Sequence, residues 1–561
     1  MAKICGIQSI GIKAVMKRKR IFVGIMAVLL LAQLGVMLFY GNKKAGFHED
    51  EFYTYYSTNK TAGLFVNDRQ WLTREEVRND FVVLPGERFR YDVVKQMQSW
   101  DVHPPFYYYI FHTVCSLFPG VFSKWLGIGV NLIAFVISYI LLAWGACMAA
   151  AGEQSGCIEE KEKGKQKGRI MSFLTCLAWG FSGAVISGVM FIRMYQWLTL
   201  FLLLCLDLHL YAIKKEDFRI RSFFLPLAVT VFLGFLTQYY YIIFHFFLGA
   251  GFCIWLIKNR KCRELAGYVI SCGAGFAGAV LYYPASLSHI FRGYRGTEAV
   301  SEFSNVSNTW ERLKFFYGLF DDFVMNGTLS WWLLAICLLA LWSGYVRRKK
   351  GNKRIFWNAS TGLMTLACGG YFFIVSKTAL LLGETSNRYQ LPVYGMILFL
   401  LLYALWELLG QAAQTLKKTP DKRMISGGFV LVILLTAGLG MKGGRVFFLY
   451  EEEREQMAFV QSHSDEPVVV FYNDSSPDNI WRLSDELMVF EKVYLASQGN
   501  RDLIADKTIA ECGRMLVYVA DYEDKERCLE GILQVNDKLD TYKAVADKEM
   551  WTLYELCSRG Q

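Results

Sequence analysis

The chain has 561 residues, of which 54% are hydrophobic, 16% are aromatic and only 20% are charged. A soluble protein of this length would normally divide into several domains with charge spread more evenly along the chain. The net charge of +10 could indicate nucleic-acid binding, but the charges cluster in short stretches between apolar blocks and form no basic face interleaved with aromatic residues. The composition therefore argues against a soluble or nucleic-acid-binding protein and indicates an integral membrane protein.

Apolar blocks of roughly 18–25 residues recur along the chain, and a helix of this length crosses a hydrocarbon core of about 30 Å. The pattern predicts an α-helical polytopic membrane protein with about eleven spans. The predicted spans are 21–40, 122–150, 170–190, 195–213, 222–237, 241–257, 265–284, 329–346, 355–381, 391–410 and 425–441. The first block is too long for the apolar region of a typical signal peptide, so we expect an uncleaved anchor.

Basic loops predict the orientation of the chain, because short cytoplasmic loops hold an excess of Lys and Arg. The basic run 17–20 precedes the first span and places the amino terminus in the cytoplasm. Every second loop after it is also basic, at 161–169, 214–221, 258–263, 347–354 and 417–423. We therefore expect the tail that follows the last span to be extracytoplasmic.

The apolar segment 106–118 is the one block that does not fit this alternation. If it were a span, every later loop would be inverted and the basic segment 161–169 would lie outside the cytoplasm. The segment is rich in Tyr and Phe, as helices at the membrane surface often are. We therefore predict a short helix that lies in the outer interface.

Two regions are expected: a transmembrane domain over 1–441, with a long first outward loop at 41–121, and an extracytoplasmic domain over 442–561. Short apolar runs in the tail alternate with polar stretches, which is typical of a small α/β domain. The strand-like runs are 467–474, 487–496 and 514–522. The 14 Cys are scattered without metal-ligand spacing, so no metal site is predicted.

An acidic cluster, Glu49, Asp50 and Glu51, follows the first span within about ten residues. Carboxylates close to the membrane surface are costly unless they are paired or used. One hypothesis is that a member of the cluster acts as a general base on an acceptor hydroxyl, a role that requires hydrogen-bond reach of the nucleophile. The alternative is a solvated loop after the helix.

A second motif closes the same loop, where Asp101 and His103 precede Pro104 and Pro105. The prolines fix the backbone and start the interfacial helix. Asp101 and His103 then lie at the helix entrance, where unpaired backbone N–H groups attract an anion. The hypothesis is a phosphate site in which His103 donates a proton or a hydrogen bond; the alternative is a capping Asp101 beside a surface His103.

An acidic motif just after the first span, followed at the end of the same loop by D-x-H-P-P and an aromatic helix, resembles the GT-C glycosyltransferases. The resemblance extends over about 20–440 and is to the bacterial members related to protein O-mannosyltransferases and to lipid A aminoarabinose transferase (glycosyltransferase family 39-like). It implies that the catalytic carboxylate is Asp50, with Glu51 beside it. The extra acid Glu49 leaves the identity of the base open among the three.

Two arginines return to the same predicted face, each beside a tyrosine. Arg193 with Tyr195 lies at the outer end of two apolar helices, and Arg388 with Tyr389 lies in the segment 383–392. A guanidinium suits bidentate capture of a phosphate, and relatives resemble the chain in both segments. The alternative for each is an arginine that anchors a helix end at the interface.

Three more residues complete the predicted substrate site. Gln238 and Tyr239 form a polar turn between two short helices, where they would hydrogen-bond a sugar or line a groove for the carrier lipid; the alternative is an interfacial aromatic belt. Glu384 returns to the same face with Arg388. Asp321 and Asp322, in the second long loop, are weaker candidates.

The resemblance implies inverting transfer of a hexosyl or pentosyl unit from a polyprenyl-phosphate donor to an acceptor hydroxyl at the outer face of a bacterial plasma membrane. The expected partners are that donor, membrane lipid and an unknown acceptor glycan, lipid or protein. No cofactor is expected to be obligatory, although a divalent cation would help to bind the phosphate. The alternatives are a flippase or exporter of lipid-linked saccharides and a noncatalytic sugar-lipid binding protein.

Overall fold

The computed structural model describes residues 2–59, 68–152, 158–350, 358–415, 422–497, 506–521 and 524–558. The helices that begin before residue 200 are α1 (Ala2–Lys43), α2 (Glu49–Asn59), α3 (Arg74–Asn79), α4 (Tyr91–Trp100), α5 (Phe106–Leu117), α6 (Lys124–Ala150), α7 (Ile158–Gly180), α8 (Gly183–Met190) and α9 (Tyr195–Lys215). The next helices are α10 (Leu225–Thr237), α11 (Tyr241–Lys258), α12 (Cys262–Tyr282), α13 (Ala285–Phe291), α14 (Tyr294–Ser304), α15 (Thr309–Phe320), α16 (Leu329–Lys350), α17 (Ala359–Thr378), α18 (Leu391–Thr415) and α19 (Lys422–Lys442). The tail adds α20 (Glu453–Ser462), α21 (Ser484–Leu487), α22 (Lys507–Glu511) and α23 (Lys525–Val535).

Within these described ranges, ten helices are long and apolar enough to cross a membrane, or eleven if the bent pair α7 and α8 counts as one span. The pair corresponds to the predicted span 170–190 and is bent by 59°. Ser182 caps the start of α8 after the bend, because its hydroxyl accepts a hydrogen bond from the backbone N–H of Val185 in the first turn of that helix. The predicted polytopic helical architecture is confirmed.

The ambiguous segment 106–118 forms α5, which has 12 residues and is too short to cross a membrane. Its aromatic side chains Tyr107, Tyr108 and Phe111 are buried in the main hydrophobic core. The prediction of a short helix that does not span the membrane is confirmed, and α5 packs into the protein with one face.

Basic loops gather at one end of the helix bundle. Lys167 Nζ lies 2.9 Å from Glu407 Oε1, and Lys261 Nζ lies 2.9 Å from Glu216 Oε2. The first contact joins α7 to α18, and the second joins the predicted basic loops 214–221 and 258–263. Parts of the predicted basic segments 347–354 and 417–423 lie outside the described residues.

A six-stranded sheet is built mostly from the tail. Its strands are β1 (Gln70–Thr73), β2 (Val468–Tyr472), β3 (Lys492–Ser497), β4 (Arg514–Ala520), β5 (Thr541–Lys548) and β6 (Trp551–Cys557), in the order β1-β3-β2-β4-β6-β5. The predicted runs 467–474 and 514–522 contain β2 and β4, which pair in parallel and are buried. The run 487–496 begins too early, since β3 starts only at Lys492.

The strand β1 comes from the first loop and pairs antiparallel with β3, so that Gln70 lies opposite Leu495. The first loop and the tail therefore share one sheet, which the sequence did not predict. A second contact joins them, because the indole of Trp481 packs against the rings of Tyr53 and Tyr56 on α2 at 4.5 Å each. The tail is thus fixed to the helix that carries the acidic cluster.

A buried charge network lies beneath this contact. Lys548 Nζ is 2.9 Å from Glu486 Oε1, 3.0 Å from Asp485 Oδ1 and 3.1 Å from Glu453 Oε2. One ammonium group faces three carboxylates, so one of them is favoured in its protonated form. Burial raises the pKa of Glu453 to about 7, although Lys548 opposes the shift.

This raised pKa predicts how stability depends on pH. The contribution of Glu453 is fully present below its unfolded pKa of about 4.3 and is lost as the pH rises through 7. We expect Glu453→Gln to gain on the order of 2–3 kcal/mol relative to the wild type between pH 5 and pH 8. Thermal unfolding of both proteins across that range measures the difference. The exposed neighbour Glu452 is the control, and Glu452→Gln should show no such trend; a constant difference for Glu453→Gln would contradict the prediction.

Candidate active site

A cavity of about 570 Å³ lies at the end of the bundle opposite the basic loops. Its walls come from the start of α2, the loop before α5, the turns before α9 and α11, the helices α13 and α14, and the segment before α18. The predicted site residues that line it are Glu49, Asp50, Asp101, His103, Arg193, Tyr195, Gln238, Tyr239, Arg388 and Tyr389. Segments separated by more than 300 residues in the chain therefore meet at one cavity.

Asp50 lies between the two predicted arginines. Its Oδ2 is 2.8 Å from Arg388 Nη1, and its Oδ1 is 3.8 Å from Arg193 Nη2. Burial alone would raise the pKa of Asp50, but the guanidinium groups of Arg193 and Arg388 outweigh it and hold the pKa well below its usual range. Asp50 is therefore ionised and its charge is balanced by cations.

Arg193 is oriented by a chain of hydrogen bonds that starts at Asp101. Arg193 Nη2 donates to His103 Nε2 at 3.1 Å, and His103 Nδ1 lies 2.8 Å from Asp101 Oδ2. A guanidinium can only donate, so Nε2 is an acceptor and the ring carries its proton on Nδ1, facing Asp101. His103 therefore positions Arg193. The predicted role of His103 in donating a proton or a hydrogen bond to a phosphate stays a prediction.

Arg388 is held by aromatic faces and by a tight turn. Its guanidinium carbon lies 5.2 Å from the ring centroids of both Phe191 and Tyr389, within the range of a cation–π contact. A 3₁₀ turn over Gly383–Tyr389 carries it, and Ser386 Oγ fixes the turn by donating to Leu380 O at 3.0 Å.

The two arginines retain donor capacity in the described part of the chain. The Nε–H groups of Arg193 and Arg388 find no hydrogen-bond acceptor among the described residues. Both side chains are buried, at 4% and 5% exposure. A buried guanidinium with unused donors is costly, and an anionic ligand in the cavity would remove part of that cost.

The three adjacent acids face three different partners. The carboxylate of Glu51 is fully buried, 2.8 Å from Lys44 Nζ, and accepts the backbone N–H groups of His48 and Ile192 at 2.7 Å each. Glu51 therefore does not line the cavity, contrary to the prediction. It fixes the start of α2 against the turn that carries Arg193.

Glu49 does line the cavity, but it forms an ion pair with Arg482 of the tail. Glu384 is exposed on its turn and does not reach the cavity, because the side chains that point inward from that turn are Arg388 and Tyr389. Asp321 accepts the backbone N–H of Leu329 and also lies outside the cavity lining.

Several lining residues were missed by the sequence analysis. His289 on α13 accepts a hydrogen bond from the Tyr239 hydroxyl at 2.9 Å through Nδ1, and its Nε2 donates to Ser99 O at 3.2 Å. Arg295 and Glu298 on α14 form part of the wall and lie 3.6 Å apart. The amphipathic pattern of 294–304 was the available signal, although no motif marks these residues.

Among the described residues, no group of three His, Cys, Asp or Glu side chains is placed to hold a metal ion.

The described part of the chain is a polytopic helical bundle with a charged cavity at one end. The chain is similar in fold to ArnT from Cupriavidus metallidurans bound to undecaprenyl phosphate, with a TM-score of 0.52 and 12% sequence identity over 95% of this chain and 98% of that chain. The same protein in the apo state matches with a TM-score of 0.42 and 12% identity over 93% of this chain and 98% of that chain. No protein-family model matches the sequence, and no curated protein matches it.

The buried pair of Lys44 and Glu51 predicts a stability effect that separates Glu51 from its neighbours. We expect Glu51→Gln to destabilise the protein by about 3–5 kcal/mol, because it leaves the buried ammonium of Lys44 without a counter-charge. The double variant Lys44→Met/Glu51→Gln should recover part of the loss. Thermal unfolding in detergent measures both, with Glu49→Gln as the control; equal stability of Glu51→Gln and Glu49→Gln would contradict the assignment.

Proposed function

We propose that the chain is a glycosyltransferase that moves a sugar from a polyprenyl-phosphate donor to an acceptor hydroxyl. The observation that carries the proposal is Asp50 held between Arg193 and Arg388 in a cavity at one end of a membrane bundle. A carboxylate and two cations at this position suit deprotonation of an acceptor and binding of a leaving phosphate. The similarity in fold to a protein bound to undecaprenyl phosphate supports the donor class.

A groove beside the cavity has the position and the apolar walls to hold a long isoprenoid chain. It has a volume of about 420 Å³ and lies between α10, α11 and α12. Ile242 lines both the groove and the cavity, so the two spaces adjoin. Gly249, Ala250 and Gly273 keep the groove open, and its walls are mostly apolar. A polyprenyl chain would follow this groove while its phosphate enters the charged cavity.

The donor phosphate would replace Asp50 as the partner of the arginines. Guanidinium groups bind phosphate oxygens with charge-assisted hydrogen bonds, and two of them stabilise the charge that develops as the phosphate leaves. Arg193 is already oriented by His103, and Arg388 is oriented by its ring contacts. The phosphate would thus meet preorganised cations.

The same exchange would activate Asp50. Paired with two arginines, its carboxylate has a lowered pKa and is a weak base. Once a phosphate shares the arginines, the pKa of Asp50 rises toward its usual value. Asp50 then accepts the proton of the acceptor hydroxyl, whose oxygen attacks the anomeric carbon as the bond to the phosphate oxygen breaks. Attack opposite the leaving group inverts the configuration of the sugar.

The finer features of the proposal follow the charge pattern and the resemblance. The transferred unit is a hexosyl or pentosyl group, and the acceptor is a glycan, lipid or protein. The amino terminus lies in the cytoplasm and the cavity at the outer face of a bacterial inner membrane. No cofactor is required; a divalent cation would act only by binding the donor phosphate.

The second candidate is a flippase or exporter of lipid-linked saccharides. One observation favours it: Asp207 is fully buried in the span α9, and neither of its carboxylate oxygens has a hydrogen-bond partner among the described residues. Ionisable groups inside a span often mark a transport path. The other charged groups of the site gather at one end, which favours the transferase.

The decisive experiment measures transfer of radiolabelled sugar from polyprenyl-phosphate donors by the purified protein in lipid. We expect Asp50→Asn to slow transfer by about 100-fold or more while donor binding persists, because the substitution keeps the shape and removes the base. Arg388→Gln should weaken both donor binding and transfer. The exposed acid Glu311 on α15 provides a matched control, and Glu311→Gln should transfer at the wild-type rate.

Two outcomes would overturn parts of the proposal. Equal transfer by the wild type and Asp50→Asn would remove Asp50 as the base and leave Glu49, which also lines the cavity, as the next candidate. Movement of labelled lipid across the bilayer without transfer from any donor would replace the transferase with the flippase.

A further inference from the structure

A second large cleft lies at the end of the bundle where the basic loops gather. Its volume is about 1020 Å³, and it is formed by the start of α10 with the residues that precede it and by one face of α12. The lining residues are Phe218, Arg219, Ile220, Arg221, Ser222, Phe224, Leu225, Ala228, Arg263, Glu264, Gly267, Ile270, Ser271 and Ala274. None of these residues lines the cavity around Asp50, so the cleft is a separate feature.

The cleft has the length of one membrane leaflet. Along α12 its lining extends from Arg263 to Ala274, which is about 16 Å at the rise of an α-helix. Half of a hydrocarbon core is about 15 Å. Ile220, Leu225 and Ile270 are 71%, 55% and 70% exposed, so the apolar wall faces the surroundings of the bundle. An acyl chain lying along this wall would fill the cleft.

Small residues let the two helices form a continuous floor. A Cβ on Gly267 would lie 2.7 Å from the ring of Phe224, and a Cβ on Gly275 would contact the backbone carbonyl of Ala228. α10 and α12 therefore approach closely at the base of the cleft. The floor is apolar along most of its length.

The rim of the cleft is basic and incompletely neutralised. Arg219 is paired with Asp217 at 2.7 Å. Arg221 and Arg263 are exposed and have no ion-pair partner among the described residues, and the one carboxylate in the lining is Glu264. Two free guanidinium groups above an apolar wall match a phosphate headgroup above acyl chains.

We propose that this cleft binds an anionic phospholipid of the leaflet at the basic end of the bundle. Its phosphate contacts Arg221 and Arg263, and an acyl chain follows Ile270 and Ala274 toward the middle of the membrane. The charge of the rim selects an anionic headgroup over a zwitterionic one, and the length of the wall matches an acyl chain rather than a polyprenyl chain several times longer.

Native mass spectrometry of the full-length protein in detergent, titrated with phosphatidylglycerol and separately with phosphatidylcholine, tests the site. We expect one phosphatidylglycerol to bind with clear preference over phosphatidylcholine. Arg221→Gln/Arg263→Gln should weaken that binding by about 30-fold, because each guanidinium near the surface contributes to the headgroup contact. The matched control Lys215→Gln/Lys258→Gln removes two charges from exposed residues at the same end, outside the cleft, and should bind as the wild type does.

A second variant tests the acyl wall without changing charge. Ala274→Phe narrows the cleft and should also weaken binding of phosphatidylglycerol. Equal binding by the arginine variant and its lysine control would overturn the headgroup assignment, and equal binding of phosphatidylcholine would overturn the selectivity. Displacement of phosphatidylglycerol by a lower concentration of undecaprenyl phosphate would overturn the choice of occupant.

Discussion

The balance of buried charge around Asp50 is the constraint on which the rest of the site depends. One carboxylate faces two guanidinium groups, both of which are buried, while the side chain of Asp50 is 25% exposed and lines the cavity. Removal of one partner from such a cluster costs several kcal/mol, because the remaining charges are already desolvated. The surrounding structure lowers this cost through His103 and the aromatic rings, which hold the cations in fixed positions. The two arginines are therefore held in fixed positions, whereas the anion that they bind can change from Asp50 to a ligand.

Contacts from the membrane bundle and from the tail hold the helix α2, which carries Asp50. Glu51 and Lys44 connect the start of α2 to the turn that carries Arg193. From the other side, Arg482 pairs with Glu49 and Trp481 packs against α2. The helix that presents Asp50 is thus held from both directions, by the membrane bundle and by the tail. Movement of the tail would change the position of Asp50 relative to the two arginines.

Much of the architecture could be predicted from the sequence because spans obey a simple length rule. The charge alternation also decided the reading of 106–118, which forms the short helix α5. The strand β1 could not be predicted, since it has four residues and its partner β3 lies about 420 residues later. The last two strands, β5 and β6, carry mixed polar patterns that do not distinguish an edge hairpin from a loop.

The sequence predicted which segments form the site, but it did not predict which residue of each segment faces the cavity. Three successive residues on a helix point about 100° apart. Glu49, Asp50 and Glu51 therefore face the tail, the cavity and the interior, and only tertiary contacts show which is which. The same limit applies to Glu384 and Arg388, which share one turn although only Arg388 lines the cavity. The local sequence shows which chemical groups a segment carries, whereas the direction in which each side chain points depends on tertiary packing.

The pairing of β1 with β3 has a consequence for biosynthesis. The ribosome completes β1 early, but the strand that covers its edge emerges only after all the spans have been made. An unpaired strand edge is prone to wrong pairing, and long-range pairing is slow. A chain that stops before the tail would also leave Glu49 without Arg482. The first loop therefore acquires its final form only after β3 of the tail has been synthesised.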